Sequence, residues 1–594
     1  MTYRAPVRDL AFSLTEAAGL DRLLKTGACP DLDLDTVSAV LEAAGQLAEE
    51  VLAPLNREGD LKGAAYANGA VTAAPGFRDA YQAFAEGGWH GLAADPEHGG
   101  QGLPKALEQA AYETFHAANM AFGLCPMLTL AAIEALHAHG TERQKALYLT
   151  RLISGEWTGA MVLTESQSGS DLGTLRTVAR PNGDGTYALH GQKIFITWGD
   201  HDCADNIVHF VLARTPDAPA GTKGISLFLA SKFETDDEGR LGARNAFRPV
   251  GVEHKLGIHA SPTCVMAYEG AKAELVGELN HGLAHMFTMM NAARLAVGVE
   301  GVGIAERAYQ HALAYALERR QGRSGWSGEA SAPIFDHPDV RRMLAVSKAR
   351  IEAARGLCLS TAVAADLARH AAGPDERAAW KLREDLFVPL AKAWSTDMAV
   401  EVASIGVQVH GGMGFIEETG AAQHYRDARI TPIYEGTNGI QAIDLVGRKL
   451  SVGDGEAVRR LVADIRADLD RLDGDARLAN AAARLSSAVE ALETATEWLL
   501  ARKAGAPADV LAGAAPYLKL AGDTVGGWML ARQALAASER LARGEGDAAW
   551  LSAKLGLFQV YADNVLAGAS GTLFSATQGA DALVALDARA LGAA

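Results

Sequence analysis

Residues 431–441 read TPIYEGTNGIQ, and this stretch places the carboxylate of Glu435 between a tyrosine ring and a Gly-Thr turn. The residues that follow, AIDLVGRKL (442–450), are typical of a helix. Residues 431–443 contain no lysine, arginine or histidine, so no local ion pair accounts for the acid. We therefore interpret Glu435 as a candidate catalytic base.

The overall composition predicts a large globular protein that does not bind nucleic acid. The chain has 594 residues, of which 49% are hydrophobic, and this length favours three or four domains. Its formal net charge of −17 argues against an exposed surface for a phosphate backbone. Anionic small ligands stay possible, because helix N-termini and a few arginines can form a local positive site.

The cysteines and the N-terminus indicate a reducing compartment. The five cysteines contain no C-x-x-C pair, which argues against zinc and against a disulfide framework. The first thirty residues carry Asp9, Glu16 and Asp21 and have no apolar signal region. The longest uncharged run, 120–133, contains Pro126 and is shorter than a bilayer span. We expect a cytoplasmic protein with no integral membrane segment.

Hydrophobic periodicity changes along the chain and predicts five segments. The stretch DTVSAVLEAAGQLAEEV (35–51) predicts an amphipathic helix with Asp35 or Thr36 as its N-cap. Four β-rich stretches follow further on, at 187–197, 206–214, 223–230 and 263–269. Helical spacing then returns and continues to the C-terminus. The predicted segments are an N-terminal arm (1–40), a helical domain (41–160), a β domain (161–280), a helical bundle (281–450) and a helical extension (451–594).

Two motifs in the predicted β domain have residues suited to binding a cofactor. In MVLTESQSGSDLGT (161–174), hydroxyl groups and Gly169 bring backbone N–H groups close to a ligand, as phosphate or flavin contacts require. A plain Ser/Gly loop capped by Asp171 explains the same composition. In GQKIFITWGD (191–200), a strand ends at Thr197 beside Trp198, which equally describes an aromatic strand end over a core.

A third motif, GVQVHGGMGF (406–415), is weak evidence for a nucleotide by itself. A dinucleotide fingerprint requires G-x-G-x-x-G between a strand and a helix, and the chain has no such unit. It also has no G-x-x-x-x-G-K-[ST] loop. Nicotinamide-dependent and P-loop enzymes are therefore poor candidates.

The order of these motifs resembles that of the acyl-CoA dehydrogenases. LTESQSGSD (163–171), KIFIT (193–197), ALERRQGR (316–323), QVHGGMGF (408–415) and RITPIYEGTNGIQ (429–441) occur in that family's order. The opening residues, EHKLGIHASPT (253–263) and the helical tail are similar to its larger, C-terminally extended branch, which includes 3-methylmercaptopropionyl-CoA dehydrogenases. The resemblance implies an α+β fold with an N-terminal helical domain, a middle β-barrel-like domain, a C-terminal helical bundle and an added helical extension.

The resemblance also implies the cofactor FAD and its contacts. The residues that it assigns to FAD within one subunit are Met161, Leu163, Thr164, Gly169, Ser170, Phe195, Thr197 and Thr437. Three further residues, Arg319, Gln408 and Gly412, would reach the FAD of a neighbouring subunit. The functional unit implied is at least a homodimer.

The family places its catalytic base at the position of Glu435. Some branches carry the base on the helix that corresponds to 290–294, which here reads MNAAR and offers no carboxylate. The resemblance assigns acyl-CoA contacts to Ser170, Asn291, Arg294 and Gly436; an ordinary polar helix residue and an exposed arginine are the alternatives for Asn291 and Arg294.

The activity implied is α,β-dehydrogenation of an acyl-CoA thioester to the trans-2-enoyl-CoA. The base removes the α-proton, the β-hydride goes to flavin N5, and an electron-transferring flavoprotein receives the electrons. The acyl group would be a fatty acyl chain or one like 3-methylmercaptopropionyl. An acyl-CoA oxidase that uses oxygen is the close alternative. A DNA-binding member of the family is disfavoured, because residues 451–594 hold 14 lysine and arginine residues against 18 acidic ones.

Overall fold

A computed structural model of the chain describes residues 3–472 and 474–593, and the polypeptide forms two compact units. The first unit comprises Met1–Ala5 and Glu42–Ala296, and the second comprises Pro6–Leu41 and Val297–Ala594. The N-terminal arm thus folds largely with the C-terminal helices. The five predicted segments describe order along the chain, and their boundaries stay a prediction.

Helices occur in both units and account for most of the second. In chain order they are α1 (Val7–Phe12), α2 (Leu20–Leu24), α3 (Leu34–Leu47), α4 (Ala53–Lys62), α5 (Phe77–Glu86), α6 (Lys105–Ala118), α7 (Met120–His139), α8 (Glu142–Gln144), α9 (Thr150–Ser154), α10 (Gly282–Glu318), α11 (Pro338–His370), α12 (Pro374–His410), α13 (Ala421–Ala428), α14 (Asn438–Asp444), α15 (Glu456–Leu472), α16 (Ala479–Arg502), α17 (Pro507–Arg543), α18 (Ala548–Asn564), α19 (Ala569–Thr577) and α20 (Asp581–Val584).

The strands all lie in the first unit. They are β1 (Ala65–Ala67), β2 (Ala70–Thr72), β3 (Trp157–Val162), β4 (Val178–Pro181), β5 (Tyr187–Thr197), β6 (Asn206–Ala213), β7 (Ser226–Ser231), β8 (Phe233–Thr235), β9 (Leu241–Arg244), β10 (Phe247–Val252) and β11 (Thr263–Val276). The α+β class predicted from the sequence is confirmed, with strands in the middle of the chain and helices on both sides.

The start of α3 corrects one sequence prediction. Neither Asp35 nor Thr36 is the N-cap, because the helix begins earlier, at Leu34. Asp33 caps it: its Oδ1 accepts hydrogen bonds from the backbone N of Thr36 at 2.8 Å and from the Thr36 hydroxyl at 2.7 Å. The α-helix ends at Leu47 and continues as a π-helical turn, Ala48–Leu52.

Seven strands of the first unit form one barrel-like sheet. Its order is β3-β6-β7-β11-β5-β4, with β10 added on β11, and only β3 and β6 pair in parallel. The edge strand β4 returns to the end of β6, where the Ala179 N–H donates to the Arg214 carbonyl at 2.8 Å. This contact places β4, at one edge of the sheet, beside the end of β6, which is the second strand from the other edge. The sheet begins at Trp157, before the boundary expected at residue 161.

Helix α7 packs on the fully buried strand β3 of the sheet. A Cβ on Gly159 would lie 2.4 Å from the Cβ of Ala132, so only glycine permits this close approach of strand and helix. Among the described residues, α7 is the one helix whose length and composition suit a membrane span, but 83% of its most apolar window is buried inside the protein. The helix is longer than the uncharged run seen in the sequence because it extends through Glu134 to His139.

The C-terminal extension packs against the helical bundle of the second unit through α17. A Cβ on Gly522 or on Gly526 would lie 2.3 Å or 2.8 Å from atoms of the Trp394 indole. These glycines therefore form a shallow groove on α17 that accepts a tryptophan from α12. The Trp394 Nε1–H donates to Asp523 Oδ1 at 2.9 Å, which fixes the ring in the groove.

A buried cluster of six charges connects the N-terminal arm to the extension. Lys348 Nζ lies 2.9 Å from an oxygen of Asp9 and 2.9 Å from one of Glu352, and Lys554 Nζ lies 2.8 Å from Asp9 and 3.1 Å from Glu352. Arg355 and Glu306 complete the set at 3.0 Å. Burial would raise the pKa of Asp9, but the charges of Lys348 and Lys554 outweigh it and hold the pKa well below its usual range. The cluster thus joins α1, α10, α11 and α18.

We predict that Lys554→Met destabilises the second unit by about 3–5 kcal/mol, because the substitution leaves Asp9 and Glu352 buried with one cation fewer. Denaturant unfolding measures the loss. The matched control is Arg484→Met, which removes an exposed ion pair with Asp563 at 3.0 Å and is expected to cost about 0–1 kcal/mol. Equal losses for the two variants would contradict a structural role for the cluster.

Candidate active site

The loop between α13 and α14 holds Glu435 in a rarely occupied backbone conformation. Glu435 has a φ of 55° and Gly436 a φ of 84°, so two consecutive residues lie in the left-handed region. Glycine adopts this region without a penalty, whereas a residue with a side chain loses about 1–3 kcal/mol there. A residue keeps this strained conformation only where surrounding contacts hold it in place, and such residues are concentrated at functional sites.

Asn438 anchors the C-terminal side of this loop to α12. Its Nδ2 donates to Asp397 Oδ1 at 2.7 Å, to Thr396 Oγ1 at 3.0 Å and to the Ala393 carbonyl at 3.0 Å. Its Oδ1 accepts from the buried Lys392 ammonium at 2.8 Å. One amide side chain thus lies within hydrogen-bond distance of four groups on a single helix and fixes the end of the loop.

Thr437 and Gly436 continue the loop into α14. The Thr437 hydroxyl accepts a hydrogen bond from the Ile440 N–H at 3.2 Å and so caps the helix. The Gly436 carbonyl accepts from the Gln441 side chain at 3.4 Å. Thr437 therefore has a structural role as a cap, and its predicted contact with FAD stays a prediction. The same holds for Gly436 and the substrate.

Tyr434 anchors the N-terminal side of the loop to α10. Its hydroxyl oxygen lies 2.5 Å and 2.6 Å from the two carboxyl oxygens of Glu300, a side chain with 0% exposure. Burial raises the pKa of Glu300 to about 8 against the opposing effects of Tyr434 and Lys392, and nearby Glu435 adds to the rise. Burial, with Glu300 beside it, also holds the pKa of Tyr434 well above its usual value.

A buried ion pair connects the two motifs of the β domain, at 161–174 and 191–200. Glu165 of the Ser/Gly motif accepts a hydrogen bond from Lys193 of the GQKIFIT strand at 2.9 Å. Lys193 also donates to the Leu163 carbonyl at 2.8 Å, and Glu165 accepts from the Thr177 hydroxyl at 2.6 Å. Burial lowers the pKa of Lys193 to about 8, with Glu165 opposing the change; burial would raise the pKa of Glu165, but Lys193 and Thr177 outweigh it and hold it at about 2. The pair is ionised at neutral pH.

A β-bulge turns Phe195 outward. On β11, Cys264 pairs with Ile196 and Met266 pairs with Lys193, so two residues of β5 oppose Val265 alone. Phe195 takes a φ of 60°, and its side chain is 58% exposed although the strand around it is partly buried. Bulges re-aim side chains in this way beside functional sites. Thr197 pairs normally with Thr263 at the strand end.

The Ser/Gly motif forms an exposed loop after β3. Asp171 caps a short turn by accepting from the Gly173 N–H at 2.9 Å, as the plain loop interpretation expects. Ser170 is exposed, and a Cβ on Gly169 would meet no atom within 4 Å, so the backbone there is open to a ligand. Met161 is buried, and Leu163 and Thr164 are half-buried. The Thr164 carbonyl accepts from the Ile194 N–H at 2.9 Å, which joins this loop to β5.

The GGMG motif of the second unit lies at the end of α12. Gly411 has a φ of 61° and a ψ of −140°, and a Cβ on Gly414 would lie 2.2 Å from the Val407 carbonyl, so both positions require glycine. Gly412 differs, because a Cβ there would meet no atom within 4 Å. Arg319, Gln408 and Gly412, the residues predicted to reach a neighbouring subunit, are all exposed.

Asn291 and Arg294 lie one helical turn apart on α10. Arg294 is only 4% exposed, so an ordinary exposed arginine is the wrong interpretation of this residue. Its Nη1 donates to Asn291 Oδ1 at 3.4 Å, and its guanidinium lies 5.8 Å from the Phe287 ring centroid. The two side chains form one polar group on the helix, and their contact with acyl-CoA stays a prediction.

Three supporting residues were missed by sequence reasoning. Glu300 is the one acid in the apolar stretch LAVGVEGVGIA (295–305), and that isolation was the available signal. Lys193 lies inside a quoted motif, but nothing in its neighbours reveals that it is buried. Asn438 reads as an ordinary turn residue, and only the fold shows that it contacts α12.

Four family profiles match the chain in succession. They are described as acyl-CoA dehydrogenase, N-terminal domain (residues 35–156), middle domain (160–271) and C-terminal domain (280–450), and as acetyl-CoA dehydrogenase C-terminal like (461–587). Together they span most of the chain, including the extension.

Similar proteins cover nearly the whole chain as well. A 3-methylmercaptopropionyl-CoA dehydrogenase of Ruegeria pomeroyi is 48% identical over 98% of this chain and 99% of its own length. Two solved structures share the fold: Caenorhabditis elegans ACDH-11 in complex with C11-CoA (22% identity, TM-score 0.78, 95% of this chain and 92% of that one) and an acyl-CoA dehydrogenase complexed with FAD from Bacillus anthracis (21%, TM-score 0.73, 94% and 90%).

We predict that Gly436→Ala destabilises the protein by about 1–2 kcal/mol, because alanine strains the backbone at a φ of 84°. The midpoint of thermal unfolding measures this loss. Gly447→Ala is the matched control, since an added Cβ meets no atom within 4 Å and no positive φ is required there. A Gly436→Ala variant as stable as the control would contradict the left-handed geometry of the loop.

Proposed function

Because the chain belongs to the acyl-CoA dehydrogenase family, an oxidoreductase family acting on acyl-CoA thioesters, we propose that it introduces a trans double bond between Cα and Cβ of such a thioester. The observation that carries the proposal is the base loop, which is the segment 429–437 between α13 and α14. It presents one carboxylate, Glu435, from a left-handed backbone that is anchored on both sides.

Glu435 acts as the general base. Its carboxylate oxygen takes a proton from Cα, and the electron pair of the broken C–H bond moves toward the thioester carbonyl. The α-proton of a thioester is only weakly acidic, so the developing negative oxygen requires aligned hydrogen-bond donors. The resemblance assigns one of these donors to the backbone N–H of Glu435 itself. The tight turn at Gly436 supports this role, because it brings backbone and carboxylate to the same substrate.

FAD is the cofactor in this proposal, and exposed groups of the first unit fit it. Gly169 presents an open backbone, and Phe195 presents an exposed ring. Met161, Leu163, Thr164, Ser170, Thr197 and Thr437 are the further contacts proposed within one subunit. When bound, FAD supplies the acceptor for the β-hydrogen, which leaves as hydride. The protein aligns the thioester and excludes water.

The assembly is a homodimer in this proposal. Arg319, Gln408 and Gly412 are exposed at the ends of α10 and α12, as residues that contact a second subunit's cofactor require. In the part of the chain that the structure describes, no disulfide joins any of the five cysteines, which supports a reducing compartment such as the cytoplasm.

The substrate is a short acyl-CoA in which sulfur replaces a chain carbon. The support is the 48% identity with a 3-methylmercaptopropionyl-CoA dehydrogenase over almost the full length of both proteins. Plain fatty acyl-CoA is the competing substrate class. The electron acceptor is an electron-transferring flavoprotein, in keeping with the family resemblance, and oxygen is the alternative that an oxidase would use.

We predict that Glu435→Gln lowers kcat by about a thousandfold while FAD stays bound, because the amide removes the base and keeps the shape. Bleaching of the flavin absorbance by 3-methylmercaptopropionyl-CoA and by a series of straight-chain acyl-CoA thioesters measures both the rate and the substrate preference. Glu490→Gln, on the exposed face of α16, is the control and should leave kcat unchanged.

Full turnover by Glu435→Gln would contradict the role of the base. A protein that stays colourless after reconstitution with FAD would contradict the cofactor. Peroxide release with acyl-CoA in air and without added acceptor would favour the oxidase.

A further inference from the structure

We propose that Glu300 is a positioning residue for the base: it holds the Tyr434 hydroxyl and thereby fixes the orientation of the adjacent Glu435. The inference rests on the proposed role of Glu435 and extends the site to a residue that contacts neither substrate nor cofactor. Its observation is the contact of the buried Glu300 on α10 with Tyr434 of the base loop, which is formed within the second unit.

The geometry of the contact is that of a clamp. The Tyr434 hydroxyl oxygen lies within hydrogen-bond distance of both carboxyl oxygens of Glu300, at 2.5 Å and 2.6 Å, so two contacts restrain the phenol. Glu300 lies in the interior of the long helix α10, whose backbone is fixed by its own hydrogen bonds. The tyrosine therefore takes its position from a rigid element.

Glu435 lies between two anchored residues, one before it and one after it in the sequence. Tyr434 precedes Glu435 and is held by α10, whereas Asn438 follows it and is held by α12. Between the anchors lie the two left-handed residues Glu435 and Gly436. A strained glutamate persists only where contacts on both sides over-determine it, so loss of one anchor lets the loop relax to commoner backbone angles.

The charges around Glu300 explain why this acid can lie close to the Glu435 carboxylate. The groups that act on it are Tyr434 and Glu435 of the loop, Lys392 of α12 and Asp427 of α13. Burial raises the pKa of Glu300 to about 8, so the acid is mostly protonated at neutral pH. A neutral Glu300 does not repel the Glu435 carboxylate.

Removal of either partner of the clamp tests the proposal directly. We expect Tyr434→Phe and Glu300→Leu each to lower kcat about tenfold with little change in KM, because the base is displaced and the binding groups are not. The double variant is expected to lose no more than either single variant, since both remove the same contact. Glu300→Gln keeps an oxygen for the tyrosine hydroxyl and is expected to recover most of the loss.

A second measurement does not depend on turnover or on bound flavin. Because the folded chain holds a proton on Glu300 that the unfolded chain releases near its ordinary pKa, stability falls as the pH rises from about 5 to 8. Above pH 8 the acid is ionised in both states and contributes no further slope. We expect the fall in the thermal unfolding midpoint over this range to be smaller in Glu300→Gln than in wild type. Glu497→Gln, an exposed glutamate of α16, is the control.

The outcomes separate this inference from the proposed function. If Glu300→Leu and Tyr434→Phe keep the wild-type kcat while Glu435→Gln has lost it, Glu435 is the base and the positioning role is overturned. If their losses add in the double variant, or appear in KM instead of kcat, the clamp is likewise overturned. If Glu435→Gln itself keeps full turnover, the proposed function fails, and the unfolding series still shows whether Glu300 holds a buried proton.

Discussion

The constraint on which the candidate site depends is the left-handed backbone at Glu435 and Gly436. A glutamate at a φ of 55° is unfavourable by itself, so the fold has to hold it. It does so with hydrogen bonds on both sides, from Tyr434 to α10 and from Asn438 to α12. The long helices α10 and α12 thus support a short loop, and these contacts hold Glu435 in its unfavourable backbone conformation.

Buried carboxylates recur through the molecule, and their surroundings differ in ways that set their charge. Glu165 lies beside Lys193 and accepts several hydrogen bonds, so it stays ionised and joins two loops. Glu352 belongs to a cluster with equal numbers of acids and bases and connects four helices. Glu300 has a tyrosine as its closest partner, with Lys392 nearby, and its pKa rises to about 8. The fold thus holds Glu165 as an ion and Glu300 mainly as a neutral acid.

The sequence predicted the fold class and the family well, because both depend on local patterns and on motif order. Strand β5 occupies the residues that the β-rich composition predicts, and β11 begins as expected but runs on to Val276. Short strands such as β4 and β8 were missed, since a few residues carry no clear period. The bulge at Phe195 also escapes prediction, because the residues IFIT (194–197) are all strand formers and show no interruption.

The site was only partly predictable for a related reason. Unusual local composition identifies Glu435 and the Ser/Gly motif in the sequence. The residues that hold a site residue in place can lie far from it along the chain. Tyr434 and Glu300 lie 134 positions apart, and Lys554 and Asp9 lie 545 apart. Pairings over such separations depend on packing, which periodicity does not encode. The buried position of Arg294 follows from the same long-range packing.

The central claim is that the Glu435 carboxylate removes the α-proton, and exchange of that proton tests it apart from the redox step. A thioester in which oxygen or sulfur replaces Cβ has no β-hydrogen to give, so only proton transfer can occur. In D2O, wild-type enzyme with bound FAD is predicted to exchange the α-hydrogens of this analogue for deuterium, and Glu435→Gln is predicted to exchange them at least a hundredfold more slowly. Equal rates of exchange in the two proteins would contradict the account.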